Sequence, residues 1–409
     1  MKSKFRGAIA LLCSLTLAGP ACALTFQQAL ALAEQQSPGL TAQGASIASA
    51  ESAGKAALSL PDPRLSVGVE NFPIGGPERF SLTRDFMTMT RIGLMQEVPN
   101  LAKRQAREQI AQAKAQRERG MLTVARLQLR QSFTRAWLAV GFAQQRQRAL
   151  GELVQENQRL ASTLASRIAA GTAQAADMLM ARQEALALED RRDDLAREEA
   201  KARSALRRFI GERASEPLQD GAPVSQRSAR EIREQVHAHA EVTVYQAMAS
   251  MAQAEVNEAQ ADAKGDWSWE VAYSRRGPQW GDMLSFQVSM DLPWQKDRRQ
   301  NPLIAARQND VRKVEAERAE LERRHGQEID EQLAELQALD SQRQRLHTRG
   351  QKLAQDRVAL AMGSYQAGRE GLGMVLTARR ELLEVQMRMI EIDAQRADLR
   401  ARLDNLIAE

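Results

Sequence analysis

The side chains best suited to chemistry are few and widely separated. Met87, Met89 and Met95 fall at even spacing with Arg91 and Glu97 in one stretch, and thioethers are soft ligands that suit Cu(I). Methionine is also an adaptable packing residue, and plain barrel or loop packing is the simpler account of all three. His237 and His239 stand two apart in a segment expected to be helical. Ligand pairs on a helix want spacings of three or four, so these two point to nearly opposite sides. His325 and His347 read as solvated helix positions. Gly368-Arg369-Glu370-Gly371-Leu372-Gly373 has the glycines of a phosphate loop. It lacks the preceding strand and the Lys-Ser/Thr ending of one, so a flexible turn between helices explains it better. No nucleophile elbow, zinc-hydrolase helix or carboxylate pair is present in the pattern. The chain is therefore read as a non-enzyme with no catalytic residues, no cofactor and no metal site.

The elements that carry these residues are organised by a repeat. One arm runs from Ala170-Gly171-Thr172 to Leu206-Arg207-Arg208-Phe209-Ile210-Gly211-Glu212, and a second from Ala367-Gly368-Arg369 to Leu403-Asp404-Asn405-Leu406-Ile407-Ala408-Glu409. Gly171 aligns with Gly368 and Glu212 with Glu409 at one constant offset, so the pattern implies a duplication and two similar halves. Aromatic residues are 4% and charged residues 27% of the 409. That mix suits long helices sharing narrow seams better than thick globular cores.

The first residues read as a secretory leader. Lys2, Lys4 and Arg6 precede an apolar run, and Ala21-Cys22-Ala23 supplies a small-residue cleavage site before Leu24. The run is too short to span a bilayer as a helix. A lipobox reading of Cys22 is weaker, because Gly19 stands where a branched apolar residue belongs. Removing residues 1–23 takes both cysteines and three positive charges, and lowers the formal net charge from +5 to +2. Near-balanced charge, with Arg and Glu interleaved along the helices, argues against nucleic acid as a partner.

In chain order, residues 25–58 are Ala- and Gln-rich and helical, with a break at Ser37-Pro38 and a stop at Pro61-Asp62-Pro63. Leu65, Val67 and Val69 then alternate with Ser66, Gly68 and Glu70, a strand with one apolar face. A second strand over about 87–98 sets Thr90, Ile92, Leu94 and Val98 against Met87, Met89, Arg91, Gly93, Met95 and Glu97. Pro99 ends it. A proline-free stretch over about 101–168 would make a helix roughly 100 Å long at 1.5 Å per residue, which no globular core requires. The first arm returns from it. The second half repeats the order: a helix over about 231–263, a strand with Trp267, Trp269, Val271 and Tyr273 on one face, and a strand with Leu284, Phe286, Val288, Met290 and Leu292 alternating with Ser285, Gln287, Ser289 and Asp291. Pro293, a long helix over about 303–365 and the second arm follow. In that arm Leu376, Leu383, Met387, Ile390, Ala394 and Ala397 step in a coiled-coil rhythm. The domain reading is a leader at 1–23, a first repeat at 24–216, a linker at 217–223 and a second repeat at 224–409, the repeats forming one continuous architecture.

Four strands with one strongly apolar face cannot close a barrel alone. In water they would expose a large greasy patch and two bare edges, whereas apolar-out, polar-in alternation is what a membrane strand needs. Only a closed barrel satisfies every backbone group in lipid, so several chains must contribute, and three would give about a dozen strands.

This layout resembles the outer-membrane-factor family, the TolC-like exit ducts of tripartite efflux and type I secretion systems, over residues 24–409. The duplicated β-β-α-α order, the proline after each second strand and the arm tips carry the resemblance. Asp62-Pro63, Val69-Glu70-Asn71-Phe72-Pro73 and Phe80-Ser81-Leu82-Thr83-Arg84-Asp85-Phe86-Met87-Thr88-Met89 are similar to the heavy-metal cation-efflux branch. The resemblance implies a mostly α, mixed fold. It implies a homotrimer with a twelve-stranded β-barrel in the outer membrane of a Gram-negative cell, on a long periplasmic α-helical barrel. The implied partners are outer-membrane lipid, a periplasmic adaptor and an inner-membrane pump of the resistance-nodulation-division class.

The family closes its periplasmic end through contacts between tips that use an Asp and a Tyr, which fall on Asp177 and Tyr365. Gly171, Gly368, Arg369 and Glu370 complete the expected gate and adaptor-docking tips. The family's basic gate partner falls on Glu370, with Arg369 one residue earlier. Its acidic constriction ring falls on Met374 and Thr377, so that ring is absent here. Glu70, Met87, Met89, Arg91, Met95, Glu97 and Asp291 are the expected lumen residues, either tuning ion passage or simply hydrating the bore. The implied function is a passive, gated duct exporting heavy-metal cations. The alternatives are a drug or type I protein-secretion duct of the same family, or a coiled-coil envelope protein that forms no channel.

Overall fold

A computed structural model describes residues 23–219, 227–234 and 236–404. The expected leader, except for its last residue, lies outside these, as do both cysteines, the later part of the expected linker and the final residues of the second arm.

The first helix, α1 (Phe26–Gln35), starts where Thr25 and Gln28 form a reciprocal capping box. α2 (Pro38–Ala57) opens with Pro38 in its first turn behind a Ser37 cap, at the break the sequence marks. Strands β1 (Arg64–Glu70) and β2 (Met89–Val98) follow, then α3 (Leu101–Ala169) and α4 (Ala175–Ile210). After α5 (Ala229–Glu234) and α6 (Ala240–Asp262) come strands β3 (Trp267–Arg275) and β4 (Met283–Met290), and helices α7 (Asn301–Arg345), α8 (Gln351–Gln366) and α9 (Leu372–Asp404).

Four of these differ from the sequence expectation; one is the last strand, which ends at Met290, short of Asp291 and Leu292. The helix expected over 231–263 is broken, because His239 adopts extended backbone (φ −58°, ψ 133°) and caps α6 by accepting the Glu241 N–H on its ring Nδ1 at 3.2 Å. The helix expected over 303–365 contains a wider π turn at Leu346–Gly350 between α7 and α8. The second strand starts at Met89, not Met87. Asp85 holds the preceding bend by accepting the N–H groups of Met87 (2.7 Å) and Thr88 (3.1 Å) on its carboxylate.

The four strands form one antiparallel sheet in the order β1-β2-β3-β4. Val67 stands opposite Ile92, Ile92 opposite Tyr273 and Tyr273 opposite Leu284. The period of two then gathers every branched and aromatic side chain on one face.

The chain divides into two compact units, each drawn from three stretches. One comprises the described parts of Met1–Gln36, Phe133–Pro223 and Arg345–Ala394. Its helices meet in three apolar clusters. Phe26, Phe133, Trp137, Leu206 and Ile210 make one. Leu150, Leu153, Leu188 and Leu195 make another. Leu160, Leu164, Tyr365, Leu372, Val375 and Leu376 make a third beside the arm turns. The other unit comprises the described parts of Ser37–Ser132, Val224–Gln344 and Gln395–Glu409, and contains the whole sheet. In it Asn100 caps α3 through Lys103 N–H (2.9 Å), donates its amide to Ala261 O (2.9 Å) and Asp266 Oδ1 (3.2 Å), and its backbone N–H to the same carboxylate (2.9 Å). Lys103 bridges Asp262 and Asp266 at 2.5 and 2.7 Å. The starts of α3 and β3 are thereby tied to the end of α6.

Candidate functional site: a two-faced sheet and two helical tips

The apolar face of the sheet is exposed. Leu65, Val67, Val69, Ile92, Leu94, Trp267, Tyr273, Leu284, Phe286, Val288 and Met290 all face outward, with Leu65 70% and Phe286 74% accessible. The outer edges of β1 and β4 pair with no other described strand. Full burial of such a side chain is worth about 1.5–3 kcal/mol. Leaving eleven of them roughly half exposed therefore forgoes on the order of 10 kcal/mol, the size of a whole domain's stability. A free surface of this kind needs a cover.

The opposite face is polar and braced by charge. Arg91 on β2 donates to Glu70 on β1 at 2.6 Å and to Glu270 on β3 at 2.9 Å, so one guanidinium ties three strands together. Gly93 lies beneath this bridge: a Cβ there would meet Glu270 Oε1 at 2.6 Å and Ser66 Oγ at 2.7 Å. Glu70, Met89, Arg91, Met95 and Glu97 share this face, as their parity predicts. Glu270 was missed by sequence reading, although its position between Trp269 and Val271 on an alternating strand carries the signal. Met87 lies in the bend before β2, and Asp291 follows the last residue of β4, its N–H donating to Asp266 O at 2.9 Å. Met89 and Met95 are six residues apart on one strand, about 20 Å at 3.4 Å per residue. The three methionines are not gathered around one point.

The two arm turns are built alike. At the first, Gly171 takes φ +71° and donates to Ile168 O at 3.0 Å, while Thr172 N–H reaches Arg167 O at 2.8 Å. At the second, Gly368 takes φ +68° and donates to Tyr365 O at 3.1 Å, while Arg369 N–H reaches Ser364 O at 2.9 Å. Both are Schellman closures, which want glycine because its missing side chain permits positive φ. Arg369 and Glu370 are exposed beyond the second closure.

Asp177 and Tyr365 meet within the chain. Both are 5% accessible, and the Tyr365 hydroxyl donates to Asp177 Oδ2 at 3.3 Å. The same oxygen accepts the Gln174 N–H at 3.0 Å at the start of α4, and the Arg167 guanidinium lies 4.6 Å over the Tyr365 ring. Burial, then the neighbouring Asp177 carboxylate, raises the Tyr365 phenol above its usual range, so it stays a donor at neutral pH. Nearby, Arg380 reaches the buried Glu184 at 3.3 Å. Met374 is exposed and Thr377 half-buried at the constriction positions, neither of them acidic.

The histidine expectations change. His347 and His237 are exposed. His325 is not solvated: it is 6% accessible, with its ring stacked on buried His239 at 3.8 Å between centroids. At the break before α6, His239 is buried against His325 of α7.

An antiparallel sheet of this kind, joined in one chain to paired long helices, defines a fold class found in outer-membrane channels. The chain superposes on the outer membrane protein VceC from Vibrio cholerae with a TM-score of 0.76 at 18% identity, covering 93% of this chain and 95% of that one. It superposes on CusC with a TM-score of 0.75 at 14% identity, over 94% and 92% of the two chains. For the open-state MtrE outer membrane channel of Neisseria gonorrhoeae the TM-score is 0.73 at 14% identity, over 93% and 88%. No family profile and no curated protein sequence matches the chain. At these identities the likeness establishes the fold. Among the described residues no helix is long and apolar enough to cross a membrane.

Proposed function

We propose that this protein is the outer-membrane duct of a tripartite efflux system, a passive homotrimeric channel and not an enzyme. Each chain contributes four strands to a twelve-stranded barrel in the outer membrane and its long helices to a periplasmic tube. The two halves, 24–216 and 224–409, arise by duplication. The observation that supports this most is the sheet itself: one largely apolar exposed face, one charged face and two edges that pair with no other described strand. In lipid each bare backbone group costs several kcal/mol. Pairing β1 of one copy with β4 of the next removes every edge and leaves Leu65, Phe286 and Val288 against acyl chains. Glu70, Arg91, Glu97 and Glu270 then line the bore, where charged rings act on passing ions.

The tips at Gly171 and Gly368, latched by Asp177 and Tyr365, serve as the periplasmic gate. Arg369 and Glu370 offer charged contacts to a periplasmic adaptor, and an inner-membrane pump of the resistance-nodulation-division class drives transport. Heavy-metal cations are the proposed cargo, on the strength of the motifs between Asp62 and Met89. A deletion strain challenged with copper, silver, zinc, cobalt and cadmium beside detergents and antibiotics tests this. Metal sensitivity alone supports the reading, and drug sensitivity alone replaces the cargo with small organic molecules. Absence of a heat-modifiable trimer from outer-membrane fractions contradicts the duct itself.

A further inference from the structure

We propose that His239, Glu241 and His325 form a binding site for a divalent transition-metal ion of the Zn(II) class, clipping the first turn of α6 to α7. Each of the three offers one ligand atom, and these atoms lie within 4.8 Å of one another. Two imidazoles and a carboxylate make a set of borderline softness, with a fourth position open to water. His325 Nε2 stands 3.1 Å from Glu241 Oε2, about the spacing that two donors take when each binds one tetrahedral ion at 2.0–2.2 Å.

The surroundings of His325 point the same way. Its other nitrogen, Nδ1, lies 3.2 Å from Glu328 Oε2, the carboxylate–histidine pairing that orients metal-bound imidazole. With Nδ1–H given to Glu328, the lone pair on Nε2 faces the Glu241 carboxylate. Two acceptors at that distance need a hydrogen or a metal ion between them: a proton on Nε2, added or moved there from Nδ1, or a bound cation. His239 supplies the second imidazole, buried with its ring stacked on that of His325 at 3.8 Å between centroids. Ligation through either nitrogen of His239 displaces its 3.2 Å cap bond to the Glu241 N–H, because the remaining ring proton must sit on the other nitrogen. The sole competitor for the Nε2–carboxylate contact is therefore a proton, and the two are told apart by titration with metal.

The chain has four histidines, so the test is compact and needs no pore. Purified full-length protein in detergent is titrated with Zn(II) by calorimetry, and with Co(II) while its visible d–d bands are recorded. One ion per chain is expected, with Co(II) absorption of tetrahedral strength. His239→Asn keeps a cap acceptor for α6 and Glu241→Gln keeps the side-chain shape, so both read the ligand set with little cost to folding. Each is expected to weaken Zn(II) by at least about tenfold, as is His325→Gln, and Glu328→Gln by about 10–100-fold. His237→Gln and His347→Gln are expected to change nothing. Binding absent from the wild type, retained in the His239→Asn, Glu241→Gln double variant, or lost with His347→Gln overturns the site.

Discussion

The buried carboxylate of Asp177 accepts both the Gln174 N–H and the Tyr365 hydroxyl, so it joins the start of α4 to the end of α8. Removing it strands two donors, at about 1–3 kcal/mol for each one left unsatisfied. If this contact is part of the latch, Asp177→Ala with Tyr365→Phe raises single-channel conductance in planar bilayers, and unchanged conductance removes both residues from the gate. Because the Tyr365 phenol is raised, its contribution is complete below pH 10 and fades only as the pH climbs through its folded value. Asn100 is the corresponding junction beside the sheet. Asn100→Ala loses the α3 cap and the donors to Ala261 and Asp266, with an expected loss of about 2 kcal/mol in denaturant unfolding. Asn100→Asp keeps the cap but sets a second carboxylate against Asp266, so it is expected to fail as a rescue. Burial pushes the Asp266 carboxyl up, but Lys103 and Asn100 outweigh it and hold the group low. The stability it contributes is therefore present at neutral pH and lost only as the pH falls below the ordinary carboxylate range.

At the scale of elements, the paired tip turns make a prediction of their own. A Cβ at Gly171 or Gly368 meets no atom within 4 Å, so Gly→Ala there costs only the positive φ, about 1–2 kcal/mol each, read from denaturant midpoints. Gly265→Ala is a different case: φ is +72° and the new Cβ would lie 2.2 Å from Asp291 O. It should cost clearly more than either tip substitution, and an equal cost would mean that the contact between the start of β3 and the end of β4 yields to the added methyl group. These elements were unequally legible in the sequence. The strands are plain because Leu65-x-Val67-x-Val69 and Trp267-x-Trp269-x-Val271 alternate with small or polar residues, and the α2 start because Ser37-Pro38 caps and opens it. The break at His239 has no Gly or Pro to mark it, and the π turn at Leu346–Gly350 keeps helical φ on both sides, so helical periodicity runs through both. The resemblance pointed to Asp177 and Tyr365, but not to the hydrogen bond within one chain. The contacts of His239 with His325 and of Arg91 with Glu270 join residues far apart in sequence, and no local spacing encodes them.

For the molecule as a whole, the sheet is what favours the proposed barrel over its rivals. An envelope spacer or adhesin would have no use for eleven exposed apolar and aromatic side chains on one face and an Arg91–Glu70–Glu270 bridge on the other. A membrane barrel uses both. The measurement that bears on this most directly is reconstitution of the purified mature chain into planar bilayers, with its mass determined in detergent beforehand. The account predicts a detergent-dependent trimer that conducts in discrete steps. A water-soluble monomer that never conducts would contradict it.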